Sequence, residues 1–210
     1  MFIEEAQWIE RTLAARGIGA GTSVLDIGSS TLEFRTEEQP YIDHHVIAPL
    51  RERGAEVVHL DAKQGNGIDV VCDLADPQLD LLGAVGRTFD VVTCCNLLEH
   101  VTDRPATVRQ VASVVSPGGT LLVTVPGRYR YHEDPIDTMF RPWPEEIVTL
   151  VQGVDPGLRV VTAESVQIRN LRYYNLRSRY YRERVIEFLF WLLPRYRWRQ
   201  SCVLFERSRP

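Results

Sequence analysis

Short apolar runs recur along the first 126 residues: VLDI, VVHLD, VVCDL, FDVVTCC and TLLVTV. Each gives way to polar or glycine residues, and helix-patterned segments lie between most of them. That alternation permits few folds. A buried parallel strand reads as a continuous apolar run, and parallel neighbours need a crossover of about a dozen residues or more, usually a helix. Right-handed crossovers place the carboxyl end of every strand along one edge, so the polar residues that follow the runs converge there.

In chain order, residues 2–16 carry Phe2, Ile3, Ala6, Ile9 and Leu13 at helical spacing, with Gly17 and Gly19 as stop signals. The strand VLDIGSS (24–30) follows, then a polar segment to Pro40 and a helix over 41–53 closed by Gly54. Strands are predicted at EVVHLDA (56–62) and IDVVCDL (68–74), and a helix at 79–86. FDVVTCCNLLEHV (89–101) reads as a strand running into a turn, 107–115 as a helix stopped by SPGG, and TLLVTVP (120–126) as a fifth strand. LRVVTAESVQIRN (158–170) and SCVLFERS (201–208) supply the last two, with an insertion over about 170–200 that holds a helix at about 179–193.

At 210 residues, 44% hydrophobic and 25% charged, the chain has the composition of one globular domain spanning 1–210. No run approaches the roughly 20 apolar residues of a membrane-spanning helix, and Glu4 and Glu5 stand where a signal peptide would be basic, so a cytoplasmic protein is expected. The four cysteines show no CxxC spacing; reduced buried thiols are expected, and no metal ligand set is read. Charge is uneven. Residues 168–210 hold 11 Arg against 3 Glu, a formal +8, which leaves −12 on the rest of a chain whose net charge is −4. Such a basic tail suits phosphate, membrane headgroups or an acidic substrate, or packs on the acidic body.

The ordered set VLDIGSS, VVHLD, VVCDL, FDVVTCCNLLEHV and SPGGTLLVTVP resembles the class I S-adenosylmethionine-dependent methyltransferases over about residues 22–126. The resemblance implies a Rossmann-like α/β fold: a seven-stranded, mostly parallel sheet with helices on both faces and an antiparallel last strand. It implies S-adenosylmethionine as cofactor. It also places Asp26 and Gly28 at the methionine part of that cofactor, Asp61 at the ribose hydroxyls, Asp73 and Leu74 at the adenine, and Asn96 at the cofactor or reacting group. The first loop departs from the family pattern, with Ser29, Ser30 and Thr31 where later glycines are usual; the two serine hydroxyls are expected to bind the cofactor carboxylate, or else the site is closed.

Methyl transfer needs a nucleophile aligned behind the donor methyl and, for a hydroxyl, a group that takes its proton. PGRYRYHEDPIDTMFRPWPEE (126–146) follows the fifth strand at the ligand edge. His132 is the first candidate for general base and Tyr131 the second; Asp137 and Arg141 are candidate substrate contacts, or partners of each other. Glu99 and His100, in the LLEHV turn, are read as holding that turn. The expected activity is methylation of a small-molecule acceptor, an oxygen nucleophile being favoured and nucleic acid disfavoured. Two other readings stay open. One is a catalytically silent binding or scaffold protein; the other is a membrane-peripheral enzyme acting on a lipid-linked or saccharide precursor, with a homodimer or membrane contact through residues 179–199.

Overall fold

A computed structural model describes residues 1–132, 136–170, 174 and 197–209. Seven strands form one sheet: β1 (Ser23–Ile27), β2 (Glu56–Asp61), β3 (Val70–Val71), β4 (Phe89–Cys95), β5 (Val115–Arg128), β6 (Leu158–Gln167) and β7 (Arg199–Arg207). Their order is β3-β2-β1-β4-β5-β7-β6. All neighbours through β5 pair parallel, while β7 lies antiparallel between β5 and β6, as the resemblance implied.

The central strands are apolar on both sides because both faces are covered. Leu25, Ile27, Val92, Leu121 and Val123 point to one core, completed by residues of α3 (Leu81–Val85), α4 (Arg104–Ser113) and α5 (Pro144–Val154). Val24, Val91, Leu122 and Leu204 point to the other, covered by α1 (Ile3–Ala15) and by the helical stretch ending in α2 (Ala48–Glu52). Burial on both faces forbids strict polar alternation, hence the unbroken apolar runs. Of the four cysteines, Cys72, Cys94 and Cys202 are buried, and all four are free thiols. Burial pushes the Cys94 thiol up to about 12, so it stays protonated and inert.

Several boundaries differ from the expectation. The helix predicted at 107–115 begins three residues earlier, at Arg104, because the Asp103 carboxylate accepts the Ala106 N–H at 3.0 Å and Pro105 suits the first turn. SPGG is not a break before β5. Val115 already pairs with Phe89, and the register shift between Phe89 and Val91 absorbs Ser116–Gly119 as a bulge inside the strand. A Cβ on Gly119 would lie 2.8 Å from the Ser116 carbonyl oxygen and 3.1 Å from those of Phe89 and Asp90, so that bulge requires glycine. The third strand shrinks to Val70–Val71 at the sheet edge. The 41–53 helix opens as a π turn, Asp43–Ile47, ahead of Pro49, whose missing N–H removes an α-type bond. The predicted 179–193 helix lies outside the described residues, as does nearly all of the 179–199 contact surface. No helix among the described residues is long and apolar enough to cross a membrane.

Candidate cofactor and acceptor site

The first loop is stitched from below. The N–H groups of Gly28 and Ser29 both donate to the Leu60 carbonyl, at 2.8 and 3.1 Å, and that of Ser30 donates to Asp61 Oδ2 at 2.7 Å. Gly28 has φ +74° and Ser30 φ +58°. The second value is uncommon for a residue with a Cβ, so Ser30 keeps the conformation that a glycine would take freely. Arg35 holds it there. This side chain is 1% exposed, and its guanidinium donates to the carbonyls of Ser29, Ser30 and Gly67. Burial lowers its pKa, while Asp26 acts in the opposite sense. The Ser29 hydroxyl donates to the Ser30 carbonyl at 3.2 Å and so turns into its own loop. The GNG segment after β2 packs on the same assembly: a Cβ on Gly67 would lie 2.7 Å from Leu32 Cβ and 2.9 Å from Arg35 Nη2.

Asp26 is spoken for within the sheet. Strand pairing sets it level with His59 on β2 and Thr93 on β4. Thr93 Oγ1 donates to Asp26 Oδ1 at 2.8 Å, and His59 Nδ1 lies 3.1 Å from Oδ2. Asp61, at the end of β2, is 9% exposed; Oδ1 accepts the Lys63 N–H at 2.9 Å while Oδ2 takes Ser30. Each carboxylate oxygen carries two lone pairs, so Asp61 retains acceptor capacity for a pair of hydroxyls. Asp73 is exposed and closes a turn by accepting the Ala75 N–H at 2.9 Å; Leu74 beside it packs against the core.

Asn96 takes φ +52° at the end of β4 and spends both ends of its amide in a buried network. Its Nδ2 donates to Glu5 Oε1 at 2.8 Å, and its Oδ1 accepts from Gln200 Nε2 at 2.7 Å. The Thr124 hydroxyl donates to the same Glu5 oxygen, and Glu5 Oε2 caps the start of α1 through the Phe2 N–H at 3.0 Å. The N-terminal helix is thereby tied to the ends of β4, β5 and β7.

Beyond β5 the chain passes Tyr129 and Tyr131 to His132. Tyr131 is 55% exposed. The ring of His132 stands edge-on to those of His100, at 5.0 Å, and Tyr129, at 5.1 Å. Burial pushes the His132 imidazole below its ordinary pKa, with His100 adding to the effect and Asp137 opposing it. Asp137 and Arg141 engage each other: Nη1 donates to Oδ1 at 3.1 Å and Nη2 to Oδ2, while Oδ2 also accepts the His132 N–H at 2.9 Å. This pair thus fastens the loop. Thr138 anchors it further, donating through N–H and hydroxyl to the Glu99 carbonyl, both at 2.9 Å. Glu99 is fully buried, and burial pushes its carboxyl up to about 8. Phe2, Tyr129 and Trp198 add an aromatic wall, with ring centroids 5.2 Å apart for Phe2–Tyr129 and 4.8 Å for Tyr129–Trp198.

Of the residues expected at the site, Gly28, Ser29, Ser30 and Asp61 come together around the first loop, His132, Asp137 and Arg141 come together after β5, and Asn96 bonds Glu5 and Gln200 instead. Arg35, His59, Thr93, Glu5 and Gln200 escaped the sequence reading. Their roles depend on strand register and on loops meeting in space, which no local motif signals.

A family model described as a methyltransferase domain matches residues 3–165. The ubiquinone biosynthesis O-methyltransferase of Parvibaculum lavamentivorans is 33% identical over 93 residues, 38% of this chain and 35% of that protein. The chain spans between 35% and 64% of the length of such curated relatives. Among solved structures, the 1,6-didemethyltoxoflavin-N1-methyltransferase of Burkholderia thailandensis, with S-adenosylhomocysteine bound, superposes with TM-score 0.54 at 13% identity, over 97% of this chain and 78% of that one. An S-adenosylmethionine-dependent methyltransferase from Mesorhizobium loti superposes with TM-score 0.54 at 18% identity, over 96% and 98%. These two share the fold. With a family model covering most of the sheet, and the strand order and glycine-turned first loop in place, the chain belongs to the class I S-adenosylmethionine-dependent methyltransferases.

Proposed function

We propose that this chain transfers a methyl group from S-adenosylmethionine to a hydroxyl of a small-molecule acceptor. The observation that carries the reading is the pairing of two unlike ends on one sheet edge. A carboxylate held in place at the end of β2 stands beside a glycine turn, and the His132 imidazole lies beyond β5 against the rings of His100 and Tyr129. The donor end fits the cofactor. A Cβ on Gly28 would meet only Leu97 Cδ1, at 3.5 Å, so a ligand can lie close to the main chain there. Asp61 offers its remaining lone pairs to two ribose hydroxyls.

S-adenosylmethionine supplies an already activated methyl, which leaves this chain to bind, orient and dry the reactants and to receive the acceptor's proton. Phe2, Tyr129 and Trp198 pack edge to face, with Phe2 buried beneath the partly exposed rings of Tyr129 and Trp198, which gives the acceptor an apolar neighbour. The proton leaves toward His132, whose imidazole burial shifts toward its neutral form. The O-methyltransferase name carried by the curated relatives supports oxygen as the nucleophile.

Calorimetry with S-adenosylmethionine, followed by transfer of labelled methyl to phenolic acceptors, tests the proposal. Micromolar binding and labelled product are expected. Absence of cofactor binding at millimolar concentration would instead favour a binding protein without catalysis.

A further inference from the structure

Both carboxylate oxygens of Glu99 are buried without a hydrogen-bond partner, and so is Nδ1 of His132. Buried polar atoms of this kind are rare unless something outside the chain satisfies them. Two such residues lie in one place. Glu99 and His100 sit in the short helical turn after β4, Leu98–His100, and His132 comes from the loop after β5. One ligand atom from each of the three lies within 4.8 Å of the others.

We propose that Glu99, His100 and His132 form a site for a divalent cation of the zinc class at the acceptor end. Two imidazoles and one carboxylate suit zinc, cobalt, manganese or iron better than calcium or magnesium, which prefer oxygen alone. His100 is already set as a ligand. Its Nδ1 faces the Ile136 carbonyl, which can only accept, so the proton is on Nδ1 and the lone pair on Nε2. That Nε2 is the nitrogen 3.7 Å from Glu99 Oε1. A histidine whose second nitrogen donates to a carbonyl is the usual arrangement around a bound metal. Asp137 Oδ2 is 3.2 Å from His132 Nδ1 but without hydrogen-bond geometry, and it is already engaged by Arg141 and the His132 N–H. Metal–ligand bonds of about 2.1 Å set tetrahedral ligand atoms about 3.4 Å apart, so the three ligand atoms, which lie within 4.8 Å of one another, draw together when the cation binds.

Three protein ligands leave a position for an oxygen of water or acceptor. A hydroxyl bound there is acidified by the cation and gives its proton to water, so that in the metal-bound protein His132 serves as a ligand in place of the proton-accepting role given above. This role for the ion rests on the function proposed above; the site itself does not.

The test is titration of the chelator-treated full chain with Co2+ alone, read by its visible absorption and by competition with Zn2+, with thermal melts of every variant. One equivalent of bound Co2+ is expected, with affinity falling about tenfold or more in Glu99→Gln and in His132→Ala. His132 is in a partly exposed loop, so its variant keeps the measurement usable should Glu99→Gln fail to fold. No stoichiometric spectrum, or one that folded His132→Ala leaves unchanged, overturns the metal site. Loss of methyl transfer in His132→Ala with Co2+ binding intact does so as well, and returns His132 to the role of base. Absence of S-adenosylmethionine binding with Co2+ binding intact counts against the function and leaves the metal site standing.

Discussion

The carboxylate of Asp61 accepts the backbone N–H of Ser30 at 2.7 Å, so the acid at the end of β2 and the serine in the first loop form one unit. Ser30 has positive φ where glycines usually serve, and Asp61 is one of the groups that keep it there. Asp61→Ala removes that acceptor and the one for Lys63. Cofactor affinity in calorimetry is expected to fall about tenfold or more, with a stability loss of about 1–3 kcal/mol. Unchanged affinity would refute the ribose assignment.

Arg35 supports the same loop from the inside through three carbonyl oxygens. Replacing it with Met leaves those carbonyls buried without donors, at a cost of about 3 kcal/mol in urea unfolding. Arg35→Lys, with one nitrogen in place of a fork, should recover only part of the loss. An Arg35→Met protein as stable as the parent would show that water or rearrangement satisfies the loop.

Two glycines should respond differently to a methyl group. Gly28→Ala has room but the wrong φ, so it costs about 1 kcal/mol and weakens cofactor binding more than it weakens the fold. Gly119→Ala meets three backbone carbonyls at 3.1 Å or less and costs about 2 kcal/mol or more with no specific effect on binding. Paired melting and calorimetry on both variants separates the two cases.

Asp137 sets an acid limit. Burial would raise its pKa, but the Arg141 guanidinium and the N–H groups of His132 and Met139 outweigh it and hold the carboxyl below its ordinary range. A depressed folded-state pKa adds stability above the unfolded value of about 3.9, and that stability is lost as pH falls below it. Unfolding free energy measured from about pH 6 down to pH 2.5 should therefore drop below about pH 4 in the parent and less steeply in Asp137→Asn. Equal slopes would remove Asp137 as the cause.

Strand existence and order were readable because parallel strands covered on both faces must be apolar throughout. VLDI, VVHLD and TLLVTV all became central strands. Edges were less readable: β3 has one neighbour to hold it, and only Val70 and Val71 pair. The SPGG segment carries strong turn signals, yet the pull of pairing Val115 with Phe89 draws it into β5.

For the site, sequence marked the positions and tertiary structure assigned the partners. Asp26, Asp61, Asp73 and Asn96 are legible because each follows a buried apolar run, and topology carries such residues to one edge. What each oxygen bonds to depends on contacts across as many as 104 residues, as in Gln200 with Asn96. Hence Asp26 proves tied to Thr93 and His59, and Arg141 to Asp137. The missing glycines of VLDIGSS illustrate the division. The sequence alone determined that residue 30 carries a side chain in a cofactor-type loop. That this loop still makes its left-handed turn was decided by Arg35 and Asp61, because the cost of a strained backbone is met by hydrogen bonds that exist only once the helical segment and β2 have packed against it.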